Sequence, residues 1–371
     1  MSSNKKIKIL YVFKENNTYM WKWQRHYIFD DLYQNNVEVE VINPLLYTDY
    51  CQTNEEVLKK IKKTSYDLVM TPHNEDVLYI STLKDINRAG IKTMLFCPDS
   101  LLIPFNYKNV CKYYDLVWIT SPKTASLYKR WDANAIYLPY AANPKYYNPD
   151  YENEINKVCF IGTPHSNRSK IINILLDSKV FTVVYMEKNK NKEFKKNNYL
   201  MKDNVNSALR MIRYDIGRKL LLSNILYKLR GAVNMQVDSD FLEIKQPVTF
   251  EELPIVYSQY ALSLATTAAL YSSELKKPVD FLLLRNFEIP MSGGLQICPY
   301  SDEMEACFDD KKEIIYYNDN EEFLEKVRFY LKPENHSLRV KMKNAARRRA
   351  EREHTWFMRF KKIFSELGIK I

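Results

Sequence analysis

Glycine is scarce in this chain, with seven residues in 371. No G-x-G-x-x-G occurs, so the usual dinucleotide fingerprint is missing. No run of 18 apolar residues occurs either, and nothing in the sequence is expected to span a membrane. The six cysteines (Cys51, Cys97, Cys111, Cys159, Cys298 and Cys307) form no C-x-x-C pair and no zinc spacing. Several lie in apolar runs such as KTMLFCP and KVCFIG, the pattern of buried free thiols in a reducing compartment. The opening MSSNKKIKILYVF lacks the apolar core and cleavage site of a signal peptide. These absences predict a cytoplasmic protein, at most resting on the inner face of the membrane.

What is present points to a folded enzyme-sized chain. Hydrophobic residues make up 46% and aromatics 13%, values of a globular protein long enough for two cores. The net charge of +10 is uneven. Residues 187–230 hold twelve basic and four acidic side chains, and residues 339–362 hold ten and two. The remainder is therefore acidic, about −6, which argues against a nucleic-acid-binding surface spread over the whole molecule.

Residues 1–145 alternate strand and helix patterns: KIKILYVF, VEVEVINP, YDLVMTP, IKTMLFCPD, YDLVWITSP and AIYLPY read as strands. The stretch PYAANPKYYNPDYENE carries three prolines and no periodicity, and reads as a linker. A second domain follows over 155–340, with KVCFIG, FTVVYM, ALSLATTA and LQICPY as strands. A basic helical insertion at about 187–245 interrupts it. Residues 341–371 form a helical tail. The fold class expected is α/β, with two Rossmann-like doubly wound domains and a cleft between the carboxyl ends of their sheets.

The stretch RNFEIPMSGGLQICPY, residues 285–300, places Glu288 in a short apolar turn just ahead of Gly293 and Gly294. Asn286 reads as the N-cap of a helix over 287–292. A carboxylate there either grips the vicinal diol of a ribose or merely stabilises its helix N-terminus. The paired glycines would end the helix and let backbone pass close to a ligand. Upstream, KVCFIGTPHSNRSK ends a strand at Gly162, and a helix begins near Ser169. Its N-terminus, with Arg168, Lys170 and Arg285, would hold a diphosphate. Ribose and diphosphate sites in one domain suit a sugar nucleotide.

These same residues carry a family resemblance. LLLRNFEIPMSGGLQICPYSDEMEACF, KEIIYYNDNEEFLEKVRFYL and EREHTWFMRF resemble the CgeB-like glycosyltransferases, with their Arg-x-Phe-Glu-x-x-x-x-Gly core and His-Thr-aromatic tail. FCPDS, YDLVWITSP and LPYAANPKYYNP fit the same family in the same order. The resemblance spans most of residues 65–365 but not the basic insertion. It implies a GT-B fold whose last helix crosses back to the first domain. It also implies a nucleotide-sugar donor held mainly by the second domain, and no metal or other cofactor. Glu288, Arg285 and Gly293 carry over from the family pattern. Wider retaining GT-B enzymes carry a second glutamate eight positions earlier, where this chain has Asp280. That departure leaves stereochemistry open and keeps a catalytically inactive binding module in view.

Acceptor contacts are expected from loops at the carboxyl ends of the first sheet. Asp99 is either a general base, an acceptor-orienting group or a helix cap, and His73 a site residue or a loop residue. Glu15 and Tyr19 are weaker candidates. Asp238-Ser239-Asp240 matches a manganese motif of another glycosyltransferase fold, but it ends a basic insertion rather than capping a nucleotide-domain strand. ARRRAERE alternates with acids, which suits a packed tail better than nucleic acid. His354 reads as structural, at a helix break. The insertion at 187–230 reads either as a solvated lid or as a surface for anionic lipid or a lipid-linked acceptor. The acceptor itself is expected to be a glycan, protein or lipid-linked hydroxyl; a basic membrane-surface adaptor is the competing reading.

Overall fold

The computed structural model describes residues 6–16, 18, 22–147, 149–187, 209–231, 233–269 and 271–371. They divide into two units, Met1–Lys145 with Glu353–Ile371, and Tyr146–Arg352.

The first unit is built on a six-stranded sheet in the order β2-β1-β3-β4-β5-β6. Its strands are β1 (Ile7–Val12), β2 (Val37–Ile42), β3 (Leu68–Thr71), β4 (Lys92–Cys97), β5 (Leu116–Ile119) and β6 (Ala135–Tyr137). Every pairing is parallel. β3 and β5 are buried at every position, as strands covered on both faces must be. β2 lies at the edge and sends Glu40 outward to Lys60 and Tyr66. A π-helical turn (Gln24–Phe29) runs into α1 (Asp30–Gln34), and α2 (Tyr50–Lys63), α3 (Ile80–Arg88) and α4 (Ala125–Arg130) complete the crossovers.

The last helix of the chain, α12 (Trp356–Leu367), belongs to this first unit. Thr355 Oγ1 caps it by accepting the Met358 N–H at 3.2 Å, and Asp31 Oδ2 accepts the Phe357 N–H at 2.6 Å. Trp356 is fully buried, its ring 5.4 Å from Trp23 and 5.8 Å from Trp118. Arg359 donates to the carbonyls of Pro139, Tyr140 and Glu353 and lies 3.0 Å from His354 Nδ1. His354 is thus part of the joint that seats the helix.

Burial raises the Asp31 carboxyl to about 6, against the hydrogen bonds from Phe357, Thr355 and Trp356 that lower it. A folded pKa above the unfolded value of about 3.9 gives stability that is full below pH ~4 and lost as pH rises through ~6. Asp31→Asn keeps an acceptor for Phe357 and cannot ionise. Its melting temperature should lose the part of the pH dependence that lies between about 4 and 6. An unchanged slope in thermal melts would count against this.

The second unit carries the order β12-β11-β10-β7-β8-β9, again with parallel pairings throughout. Its strands are β7 (Ile155–Ile161), β8 (Thr182–Tyr185), β9 (Leu242–Lys245), β10 (Tyr260–Leu264), β11 (Gln296–Pro299) and β12 (Ile315–Tyr317). Its helices are α5 (Asn167–Asp177), α6 (Asp215–Arg230), α7 (Leu253–Gln259), α8 (Arg285–Met291), α9 (Asp302–Glu305), α10 (Asn320–Tyr330) and α11 (His336–Glu353). Phe160, Leu175, Leu262, Ile297 and Phe323 lie in one core, each wholly buried. The stretch expected to be a helical insertion ends in β9, which adds an edge strand to the sheet. Residues 188–208 of that stretch lie outside the described residues.

α11 is fastened to the start of β7 through Glu154. This carboxylate accepts hydrogen bonds from Arg339 Nε (2.8 Å) and Lys343 Nζ (2.7 Å) and lies 2.9 Å from His336 Nδ1. Lys343, wholly buried, also donates to the carbonyls of Ser258 (2.9 Å) and Tyr260 (2.8 Å).

Candidate active site

Strand order reverses between β7 and β10, and open parallel sheets bind ligands beyond the carboxyl ends of their strands at such a point. The loop after β7 begins at Gly162 (φ +126°) and reaches α5 through Ser166 (φ +54°). The loop after β10 returns through Asp280, which pairs with Ala268 in an isolated antiparallel bridge. α8 then carries Arg285 and, one turn on, Glu288.

Arg285 joins the two loops, although 122 residues lie between it and Gly162. Its guanidinium lies over the Phe160 ring, 4.8 Å from the centroid. The φ of +126° at Gly162 suits glycine, and a Cβ there would come within 2.6 Å of Arg285 Nη2, so the bare glycine leaves room for the guanidinium at the strand end. Arg285 Nε and Nη1 are buried and make no hydrogen bond among the described residues. Such donors are expensive to leave buried without an acceptor, and an anion would satisfy them. Arg168 lies beside them, 6.0 Å from the same Phe160 centroid, with Nη1 donating to Thr163 O at 3.3 Å. Burial, and next the charge of Arg285, push Arg168 down to about 9. It remains charged at neutral pH, leaving two cations side by side at a helix N-terminus. Burial and the same two arginines lower His165, which therefore adds no third positive charge.

Glu288 is 6% exposed, in the first turn of α8. Tyr257, buried and held above its usual range by burial, senses both the Arg285 and the Glu288 charge. One tyrosine thus lies among the phosphate-type and ribose-type residues. Asn286 is not the N-cap. Leu284 holds that position in helical conformation, and buried Asn286 instead accepts the Leu283 N–H at 2.8 Å through Oδ1. Lys170 is tied to Glu274, a 1%-exposed carboxylate that also takes Arg230 at 3.0 Å. Its ammonium is committed to that pair. Gly293 (φ +73°) ends α8 as expected, but its close neighbours are protein: an added Cβ would meet Tyr151 Oη at 2.4 Å and Tyr147 at 2.9 Å. Gly294 packs in the same way, against Ile289 and the Tyr257 carbonyl.

In the first unit, His73 follows β3 and Asp99 follows β4. His73 Nε2 accepts the Lys14 N–H at 3.0 Å. Burial, and then the Lys14 charge, hold His73 at about 3, so it is neutral near pH 7. Asp99 adopts φ +54°, uncommon for a residue with a side chain. Tyr140 Oη contacts its N–H and its Oδ1, both at 3.1 Å, and burial raises its pKa. Burial thus makes the Asp99 carboxylate bind a proton more readily than a free one. Glu15 pairs with Arg25, and Tyr19 lies outside the described residues.

The sequence reading missed Tyr257 and His165. His165 stands within the KVCFIGTPHSNRSK loop without a signal of its own, and Tyr257 sits on a helix 28 residues before Arg285.

Residues 222–365 match the family model described as glycosyl transferase-like. Solved GT-B enzymes superpose on nearly the whole chain. The fold is GT-B. Among GT-B structures, the sucrose-phosphate synthase of Thermosynechococcus elongatus aligns with a TM-score of 0.55 at 11% identity, covering 98% of this chain and 99% of that one. HepE of Anabaena, solved with UDP and glucose, gives 0.56 at 10% identity over 98% and 99%. A glycosyltransferase of Rickettsia africae gives 0.55 at 12% identity over 99% and 100%. No curated protein matches the sequence at significance. Among the described residues, no helix is long and apolar enough to cross a membrane.

Proposed function

We propose that this GT-B protein moves a sugar from a nucleotide-sugar donor to a hydroxyl of a glycan, protein or lipid-linked acceptor, in surface glycan or glycoconjugate synthesis and without a metal. The observation that carries the reading is Arg285 crossing bare Gly162 beside Arg168, one helical turn from Glu288. In the transfer, the bond from the anomeric carbon to the diphosphate breaks and a bond to the acceptor oxygen forms. Arg285 and Arg168 hold the charge that accumulates on the departing diphosphate. Glu288 accepts two hydrogen bonds from the ribose diol, and Asp280 positions the sugar. The acceptor proton goes to a carboxylate, for which Asp99 is better suited than His73, whose Nε2 is already engaged by the Lys14 N–H.

Membership of the CgeB-like group and a retaining outcome belong to this proposal, as do a cytoplasmic site of action and peripheral contact with a membrane through the basic 187–230 segment. The complexes of HepE with UDP and UDP-glucose make a UDP-sugar the first donor to try.

The test is a thermal-shift screen against UDP, GDP, ADP, dTDP, CMP and their sugars, with Glu288→Ala beside the unaltered protein. One nucleotide should stabilise the protein selectively, by about 2.7 kcal/mol at a hundredfold excess over its Kd, and the variant should lose the effect. A flat response to all would reject the donor site. Binding without product in a transfer assay would convert the reading to an inactive binding module.

A further inference from the structure

Among the described residues, α6 is seated on one side only. Its inward positions are Gly217, Leu220, Ser223 and Tyr227. Ser223 is wholly buried, Leu220 is 4% exposed, and the Tyr227 ring stacks on Tyr271 at 4.1 Å. Arg230 is bound to Glu274 at 3.0 Å, and a Cβ on Gly217 would lie 2.3 Å from the Met211 carbonyl. That side settles the helix on its domain. The opposite side carries Leu222, Ile225 and Leu229, spaced three and four apart along one stripe. They are 49%, 54% and 79% exposed among the described residues, and Leu209 and Ile212 just before the helix are 55% and 50% exposed. A solvated lid would place Lys, Glu or Gln there.

The flanks are charged with one sign. Residues 209–230 hold six basic side chains (Arg210, Arg213, Arg218, Lys219, Lys228, Arg230) and one acid, Asp215. Asp215 lies 3.0 Å from Arg218 and 3.8 Å from Lys219, so Arg210, Arg213 and Lys228 keep their charge without it. An apolar stripe with basic flanks is complementary to an anionic bilayer surface: the stripe enters the headgroup boundary and the cations meet phosphates. A second copy of this face would set Lys219 and Lys228 against the same cations of its partner.

We propose that the outer face of α6, Leu222, Ile225 and Leu229 with Lys219 and Lys228 beside them, docks on an anionic lipid bilayer and holds this unit at the membrane surface. This deepens the membrane contact of the proposed function and is independent of the transfer reaction. The experiment is cosedimentation of the full chain with vesicles of phosphatidylcholine alone and of equimolar phosphatidylcholine and phosphatidylglycerol. Binding to the anionic vesicles only, weakened by salt, is expected. The triple variant Leu222→Ser, Ile225→Ser, Leu229→Ser should lose it while melting and binding nucleotide like the parent, since all three side chains are exposed. Lys219→Gln with Lys228→Gln should lower vesicle affinity on the order of thirtyfold, at about 1 kcal/mol per cation. Equal binding by the triple variant, or no binding by the parent, overturns the proposal. A dimer in sedimentation velocity that the triple variant abolishes, with no vesicle binding, would assign the face to a second copy instead.

Discussion

Glu154→Ala should destabilise the second unit by about 3–5 kcal/mol, because it leaves two buried cations without their counter-charge. Arg339 is 3% exposed and Lys343 not at all, so water cannot take over the role of the carboxylate. For a unit of this size the loss corresponds to a fall in melting temperature of roughly 10 °C. Glu154→Gln keeps acceptors for part of the network and should cost less. The pH dependence gives a second handle. Burial alone would raise the Glu154 carboxyl, but Arg339, Lys343 and His336 overcome it and hold the group at about 2. With a folded pKa below the unfolded one, its contribution is present above pH ~4.5 and is lost as pH falls towards 2. Calorimetry on the two variants and the parent between pH 2 and 7 decides the matter. If Glu154→Ala melts within 2 °C of the parent, with an unchanged acid limb, the clamp has been misread.

Arg285→Ala should lower kcat/KM by about 10²–10³-fold, the usual effect of removing one donor aimed at developing charge. Arg285→Lys should recover little of it. An ammonium is a compact point charge and cannot lie flat on Phe160 while offering separate Nε and Nη1 donors. Gly162→Ala supplies an independent check from the other loop. An alanine is strained at φ +126° and its Cβ would enter the space of Arg285 Nη2, so the variant should lose part of the activity without touching a charge. Steady-state kinetics with the donor found in the nucleotide screen give the numbers. Activity within threefold of the parent for Arg285→Ala would remove this residue from the diphosphate site.

The sequence pattern made the first sheet legible because five of its strands are apolar runs or alternations bounded by turn residues. β9, reading LEIK, carries too little apolar pattern to betray an edge strand inside an insertion. Asn286 looked like a cap because capping rules weigh the residue type. Whether Leu283 and Leu284 already turn helically depends on the loop folding back against Thr267, whose carbonyl accepts the Phe281 N–H. The partners that matter most are distant in sequence. Gly162 and Arg285 have local signatures, yet that the arginine passes beside the glycine is visible only in the fold. Lys170 had the position of a phosphate ligand, and only the fold shows Glu274 beside it. His73 stood at the right end of a strand, but its engagement by a backbone N–H from the β1 loop has no sequence signal.

The placement of α12 in the first unit has a consequence for the order of events on the ribosome. The strands β1–β6 are complete by residue 137, while Trp356, which covers Trp23 and Trp118, emerges roughly two hundred residues later. At about 5–20 residues per second, the nascent first half waits on the order of 10–40 s with those indoles uncovered. For that interval the chain presents a tryptophan-lined surface that the finished protein hides, and the second unit has to be synthesised before it can be closed. Translation speed across residues 146–352 therefore sets the time during which the newborn chain is exposed to chaperones and to aggregation.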